Sequence, residues 1–326
     1  MKRWKQLIGL ATVLLLTSLP FAIQEPYFLR VIILFGIYAI YALALDFLIG
    51  FLGEVSFGHA AFLGIGAYAT GILVERYQFS YWAAAPVALG LAGATGFVVG
   101  FATLRLRGVH FAILTLASSE ILRLVALNWQ EFTHGSMGLS VADPSVPLLG
   151  QGRSFTPATY YYFVFFILVL VFRLLARLVA SPVGNSMVAI RENHSLAAAV
   201  GIPIFKVKLM AFVISGVIAA MAGVAYAPFV GIIGPDLLGS GYSALGLLMV
   251  IVGGKGTLYG ALVGAFVFSI ITEMFRFANE LRMMAFAVFL LASLVLNPGG
   301  IVSLLFRAWE RLTRARTGVV AEAQEK

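Results

Sequence analysis

The chain alternates between long apolar runs and short clusters of charged residues, glycine and proline. About 20 consecutive apolar residues cross a bilayer as a helix. Ten candidate spans follow: 7–23, 28–50, 60–74, 82–104, 109–127, 158–180, 209–232, 242–254, 258–276 and 283–297. Runs 60–74 and 242–254 are short. At about 1.5 Å per residue they reach roughly 20 Å, against a hydrocarbon core roughly 30 Å thick. They are expected to be broken or re-entrant helices, unless their ends lie a few residues further out. They stand third and eighth, corresponding places if the chain is built of two inverted halves, and paired short Gly-bounded segments point to a central pathway.

Run 7–23 follows Lys2, Arg3 and Lys5, as the apolar part of a cleaved signal peptide would. No small-x-small cleavage site follows, which favours a retained first span.

Composition strengthens the membrane assignment. Hydrophobic residues make up 61% and charged residues 11% of the 326 positions, where a soluble domain has roughly 45–50% and about 25%. The expected fold is all-α: a polytopic transmembrane helical bundle of about ten spans. It forms one membrane domain over 1–326, with a polar loop at 181–208 and a basic tail at 303–326. The 34 glycines imply close backbone approach between helices. Gly256, Gly260 and Gly264 are spaced to share one helical face, and Gly96 and Gly100 repeat the spacing once. The net charge of +8 needs no nucleic acid to explain it, because Lys and Arg are retained on the cytoplasmic side of membrane proteins. With a cytoplasmic N-terminus most basic residues fall inside, leaving Arg30, Arg76, Arg153, Arg276 and Arg282 outside and Arg123 within a span. That bias places both termini in the cytoplasm.

Several chemistries lack their residues. The sequence has no cysteine, so disulfides and thiolate metal sites are excluded. His59, His110, His134 and His194 are scattered, without H-E-x-x-H spacing. No G-x-S-x-G occurs. The run Gly253-Gly254-Lys255-Gly256-Thr257 resembles a phosphate loop only superficially: Met249 stands at the required first glycine and Gly256 at the Ser or Thr that would hold magnesium. A glycine turn between two spans is expected there, with no ATP or other cofactor bound by this chain.

Charges within spans are costly, which draws attention to Asp46, Glu120 and Arg123. Glu120 and Arg123 lie three apart and can neutralise each other; the sharper reading places them beside a pathway. Asp46 lies near a span end, within reach of water. A rival intramembrane enzyme would pair Glu120 with His59 or His110 as acid and base, and would need them in one polar cavity.

The loop 181–208 is too polar to span. Ser181-Pro182 opens it, Met187, Ile190 and Leu196 follow, and Gly201 then Pro203 close it. A short amphipathic helix is expected, either docked in a partner's groove or resting on lipid headgroups.

These segments resemble a known family. Gly53-Glu54-Val55-Ser56-Phe57-Gly58-His59-Ala60-Ala61-Phe62, with Gly64, Gly66 and Tyr68, is similar to the signature region of the branched-chain amino-acid ABC transporter permeases, in the longer, M-type Liv form. Arg105-Leu106-Arg107-Gly108, Phe111 to Leu116, Glu120, Arg123 and Asn128-Trp129 continue the likeness. The 181–215 region is the strongest match, and Pro235-Asp236, Gly253 to Leu258 and Pro298 to Ile301 follow in order. His134 and Ala261 depart from the pattern, standing where glycine and proline are expected.

The resemblance implies a permease subunit of an importer in a bacterial or archaeal cytoplasmic membrane. It implies a second homologous permease subunit, two cytosolic ATP-binding subunits that bind the ATP, and an external solute-binding protein. The 181–208 loop is then the coupling segment on the ATPase, with Ser181, Gly184, Arg191, Glu192, Asn193 and Gly201 as its residues. Ser56, Gly58, His59 and Glu120 are the pathway candidates, with packing the competing role for the glycine. Urea permeases and carriers of other small solutes share this architecture, so the solute stays open at this point.

Overall fold

A computed structural model describes residues 25–141, 155–274 and 299–303, with the isolated positions 20 and 288. The expected spans 7–23 and 283–297, and the tail beyond Ser303, lie outside the described residues.

The first described helix, α1 (Pro26–Asp46), starts on a proline that pre-sets its first turn. It continues without a break into a π-helical turn, Phe47–Leu52, and stops at Gly53, whose φ of +82° suits glycine. Every residue from Gly36 to Leu52 is buried, as befits a helix apolar on all sides. With the π-turn, α1 is the most buried of the candidate spans.

An irregular stretch ending in a turn leads to the short α2 (Ala60–Glu75) and then to α3 (Tyr81–Thr103), capped by Ser80, whose Oγ accepts from the Ala83 N–H at 3.3 Å. α4 (Val109–Asn128) and α5 (Pro157–Val179) follow, the latter capped by Thr156. Two short helices, α6 (Pro182–Glu192) and α7 (His194–Ala199), separate α5 from the long α8 (Ile204–Val230). α9 (Ser240–Gly253) and α10 (Leu258–Met274) complete the series, bent against each other by 117° across a turn of four residues.

Five of these helices are long and apolar enough to cross a membrane, and α9 with α10 forms a sixth candidate as a broken pair or re-entrant loop. α2 and α9 are the short pair expected from the sequence, and the four-residue turn beside α9 is the expected glycine turn.

α8 lies along α2, α3 and α1, while α1 also contacts α5 and α10. Glycine makes the closest of these approaches possible. No Cβ fits at Gly66 against the Ala220 backbone, or at Gly223 against the Leu63 carbonyl. Without a hydrophobic drive between helices in lipid, such backbone contact is a main source of attraction. Gly100 is tight against the Leu209 and Phe212 side chains of α8, whereas Gly96, beside Phe62 and Val213, has room for a Cβ in ordinary contact. Gly256 departs from the expected glycine face. It sits in the turn before α10 with φ +78°, and only Gly260 and Gly264 share the helix, against the Gly254 and Met249 carbonyls.

Two-residue strands β1 (Leu139–Ser140) and β2 (Ile232–Ile233) pair antiparallel, Leu139 opposite Ile233. They tie the segment after α4 to the end of α8.

Candidate functional site

Between the π-turn and α2 the backbone leaves the helical path: residues 53–56 are irregular and 57–59 form a turn, with alternating burial in which Glu54, Ser56 and Gly58 are buried and Gly53, Val55 and Phe57 exposed. Irregular backbone within a membrane is tolerated only where it is buried in protein or lines a water-filled cavity. Its polar groups are met by three helices. The Phe57 N–H donates to Thr115 Oγ1 of α4 at 3.2 Å, and the Ala60 N–H donates to Ser243 Oγ of α9 at 3.0 Å. Lys208 Nζ of α8 donates to the Glu54 carboxylate.

The pathway candidates separate into different settings. His59 is fully buried, its ring edge-on to Phe62 and Phe212 with centroids 5.2 and 6.1 Å away. Its Nε2 lies 2.8 Å from Ser215 Oγ, which donates to the Ala44 carbonyl at 2.5 Å. The hydroxyl's one proton is thus committed to Ala44, so Nε2 carries a proton and donates to Ser215. Nδ1 is then a buried acceptor with no partner among the described residues, as is the Ser56 hydroxyl. Gly58 is a packing residue, since any Cβ there would overlap the Thr115 carbonyl.

Glu120 is elsewhere, on the thinly covered side of α4. Arg123 Nε and Nη2 donate to its Oε1 at 2.8 and 2.6 Å, and Arg123 Nη1 lies 3.8 Å from Asp236. The expected ion pair is formed. The partners of Glu120 and His59 share no residue, and His110 is exposed, so the described residues do not gather the acid and base of the rival enzyme.

Asp46 corrects an expectation. The π-turn extends the helix beyond it, so it is fully buried rather than within reach of water. Its Oδ1 accepts from the Gly256 N–H at 2.7 Å.

The 181–208 segment folds as expected of an amphipathic element. Gly184, Met187 and Ile190 of α6 are buried against the π-turn, the end of α5 and α8. Leu196 and Val200 are exposed. The residues singled out there hold the segment together. Ser181 Oγ donates to the Leu178 carbonyl at 2.6 Å, and Gly184 lies against the Val179 backbone with no room for a Cβ. Asn193 Oδ1 accepts from the Leu196 N–H at 3.0 Å and caps α7. Gly201, φ +86°, closes it: its N–H donates to the Ala198 carbonyl and that of Ile202 to Ala197, the Schellman pattern. Arg191 bonds outward to exposed Glu192, at 2.6 Å, and inward to the Gly50 carbonyl, at 2.5 Å. Burial, together with the charges of Arg107 and Lys208, holds the His194 imidazole below its ordinary range.

Sequence reasoning missed the Glu54–Lys208 pair and the polar side chains Thr115, Ser215 and Ser243, which cross between helices. The signal available was the charge of Glu54 and Lys208 at the edges of apolar runs; their meeting was not readable from spacing.

A family model for the permease component of branched-chain amino acid transport systems matches residues 27–296. The high-affinity branched-chain amino acid transport system permease protein LivM of Escherichia coli K12 is 30% identical over 288 residues, 82% of this chain and 68% of that one. A probable LivM of Methanocaldococcus jannaschii is 27% identical, covering 83% and 92%. LivH of Escherichia coli K12 is 25% identical, covering 80% and 90%. Among solved structures, PsaBC from Streptococcus pneumoniae in complex with Fab aligns with a TM-score of 0.45 at 15% identity, covering 83% of this chain and 91% of that one. With the model spanning most of its length and its apolar helices of membrane-crossing size, the chain belongs to the family of branched-chain amino acid transport permeases, in its LivM-type form.

Proposed function

We propose that this chain is one of two related permease subunits through which an ATP-driven importer carries branched-chain amino acids across a bacterial or archaeal cytoplasmic membrane. Ten spans with both termini cytoplasmic put α6 and α7 on the cytosolic side and β1 and β2 outside. The observation that carries the reading is the α6–α7 pair. It interrupts two long apolar helices with a segment whose inner face is anchored on α1, α5 and α8 and whose outer face presents Glu192, Leu196 and Val200. That is the build of a docking element. A cytosolic ATPase that closes on ATP would push on this face, and the spans would exchange an outward-facing for an inward-facing cavity.

The subunit binds no nucleotide itself; the Gly253–Thr257 run serves as the turn between α9 and α10. The pathway runs beside the non-helical 53–59 segment and the Glu120 face of α4, where the second permease is met. Half-exposed charges at Glu120 and Arg123 are costly against lipid and find water or protein there. The exposed side chains of α3, by contrast, are apolar and face the bilayer.

The test is purification of the tagged chain from its native membrane in mild detergent, with mass spectrometry of what co-elutes. Two ATP-binding subunits and a second permease support the reading. A folded chain that elutes alone overturns it in favour of a channel.

A further inference from the structure

Three elements remote in sequence meet around Arg191. Its Cγ lies under Gly53, where an added Cβ would come within 2.7 Å. Its Nη1 donates at 2.5 Å to the carbonyl of Gly50, inside the π-turn. Gly50 is among the last residues of that helix, whose terminal carbonyls have no partner within the helix, and a π-turn is a common place for a helix to be adapted to function. On its other side Gly50 abuts the Gly256 backbone so closely that no Cβ could be added. Gly256 in turn donates its N–H to Asp46, one turn earlier in α1, at 2.7 Å. It belongs to the turn at which α9 and α10 bend by 117°. A continuous chain of polar contacts and glycine backbone thus runs from α6, through the π-turn, to that bend.

We infer that Arg191 is a positioning residue that transmits displacement of α6 to the π-turn of α1 and to the α9–α10 bend, and is not part of the surface that holds the ATPase. This rests on the proposed importer reading and divides labour within it: Glu192, Leu196 and Val200 meet the partner, while Arg191 carries the movement inward. The geometry favours this division because the guanidinium is spent within its own chain, Nη1 on the Gly50 carbonyl and Nε and Nη2 on Glu192, which links it to the outer face, and its stem is packed against Gly53. Coupling between distant sites needs a physical element with two arrangements. The π-turn, met by the Arg191 side chain on one side and the Gly256 backbone on the other, is the element to which the inference assigns them.

The experiment uses the whole complex, purified from native membrane and reconstituted in vesicles with its solute-binding protein. Three quantities are read for wild type, Arg191→Gln and Arg191→Lys: ATPase subunits retained, ATP hydrolysed, and leucine imported. A hydrogen bond from a charged donor is worth enough that its loss corresponds to at least about a tenfold change. The expected result for Arg191→Gln is full retention of the ATPases, hydrolysis close to wild type, and leucine imported per ATP reduced about tenfold or more. Arg191→Lys keeps a charged donor but loses the fork, and should recover part of that ratio. If Arg191→Gln is degraded, the lowered ratio is read in Arg191→Lys alone.

Loss of the ATPases from the variant complex would make Arg191 a docking residue and overturn the inference, as would an unchanged import-to-hydrolysis ratio. Either result leaves the importer reading standing. A wild-type chain that retains no ATPase is the separate outcome that removes that reading.

Discussion

Lys208 and Glu54, separated by 154 residues, form an ion pair whose side chains are only 3% and 10% exposed. Such a pair costs desolvation on both sides, so its net contribution to stability is small, but removing one partner strands a buried charge. Glu54→Leu or Lys208→Met alone is expected to destabilise the protein by about 3–5 kcal/mol, whereas the double variant should lie near wild type. Thermal unfolding of the purified chain in detergent checks this, and equal losses in the single and double variants would refute it.

The α2–α8 contact is set by glycine backbone rather than by side-chain volume. Gly223→Ala puts a methyl where the Leu63 carbonyl sits and should cost about 1–3 kcal/mol as an overpacked contact. Gly90 of α3 has open space around its Cα, so Gly90→Ala should be neutral or stabilising by about 0.5–1 kcal/mol. Unfolding midpoints of the two variants are expected to move in opposite directions, or the second not at all.

The absence of cysteine makes single introduced thiols clean reporters of surface. Leu124→Cys, on the charged side of α4, should cross-link to the proposed second permease in native membranes. Val98→Cys, on the apolar side of α3, should not, and should react instead with a lipid-soluble maleimide. Reversed labelling would mean that the lipid and subunit faces have been exchanged.

His194 offers a pH test outside the membrane. Its folded-state pKa lies below the unfolded value, through burial and then the nearby charges of Arg107 and Lys208, with Glu54 opposing. Its contribution to stability is therefore present above the ordinary histidine value of about 6.5 and is lost as pH falls below it. Replacing it in His194→Gln should flatten that acid limb of the stability curve without changing stability at pH 8. A wild-type acid limb in the variant would contradict the assignment.

Much of the fold was legible because membrane spans are dictated by length and polarity. The run 28–50 became α1, 82–104 became α3, and 109–127 became α4, each within a few residues, and the short runs 60–74 and 242–254 became α2 and α9. What hydropathy does not carry is direction and contact. An apolar run continues smoothly through Asp46 into the π-turn, so nothing in the pattern marks Asp46 as buried or Gly50 as the carbonyl that Arg191 reaches. The glycine spacing 256, 260, 264 fits a helix equally well whether or not the helix has begun, and only the positive φ of Gly256 shows that it has not. Of the coupling candidates, Ser181 and Gly201 announced themselves through opening and stop chemistry, whereas Asn193 came only with the family resemblance. Arg191 likewise came with the resemblance, and its contact with Gly50 was not readable because the partner lies 141 residues away.

The most direct measurement is uptake of labelled leucine, isoleucine and valine, with urea beside them, into cells lacking this chain and into the same cells with it restored. The family assignment and the proposed docking element together predict that branched-chain amino acid uptake falls on deletion, returns on restoration, and stops when cellular ATP is depleted. Unchanged uptake of all three on deletion, or restored uptake that persists without ATP, would contradict the account; loss of urea uptake alone would keep the permease and replace its solute.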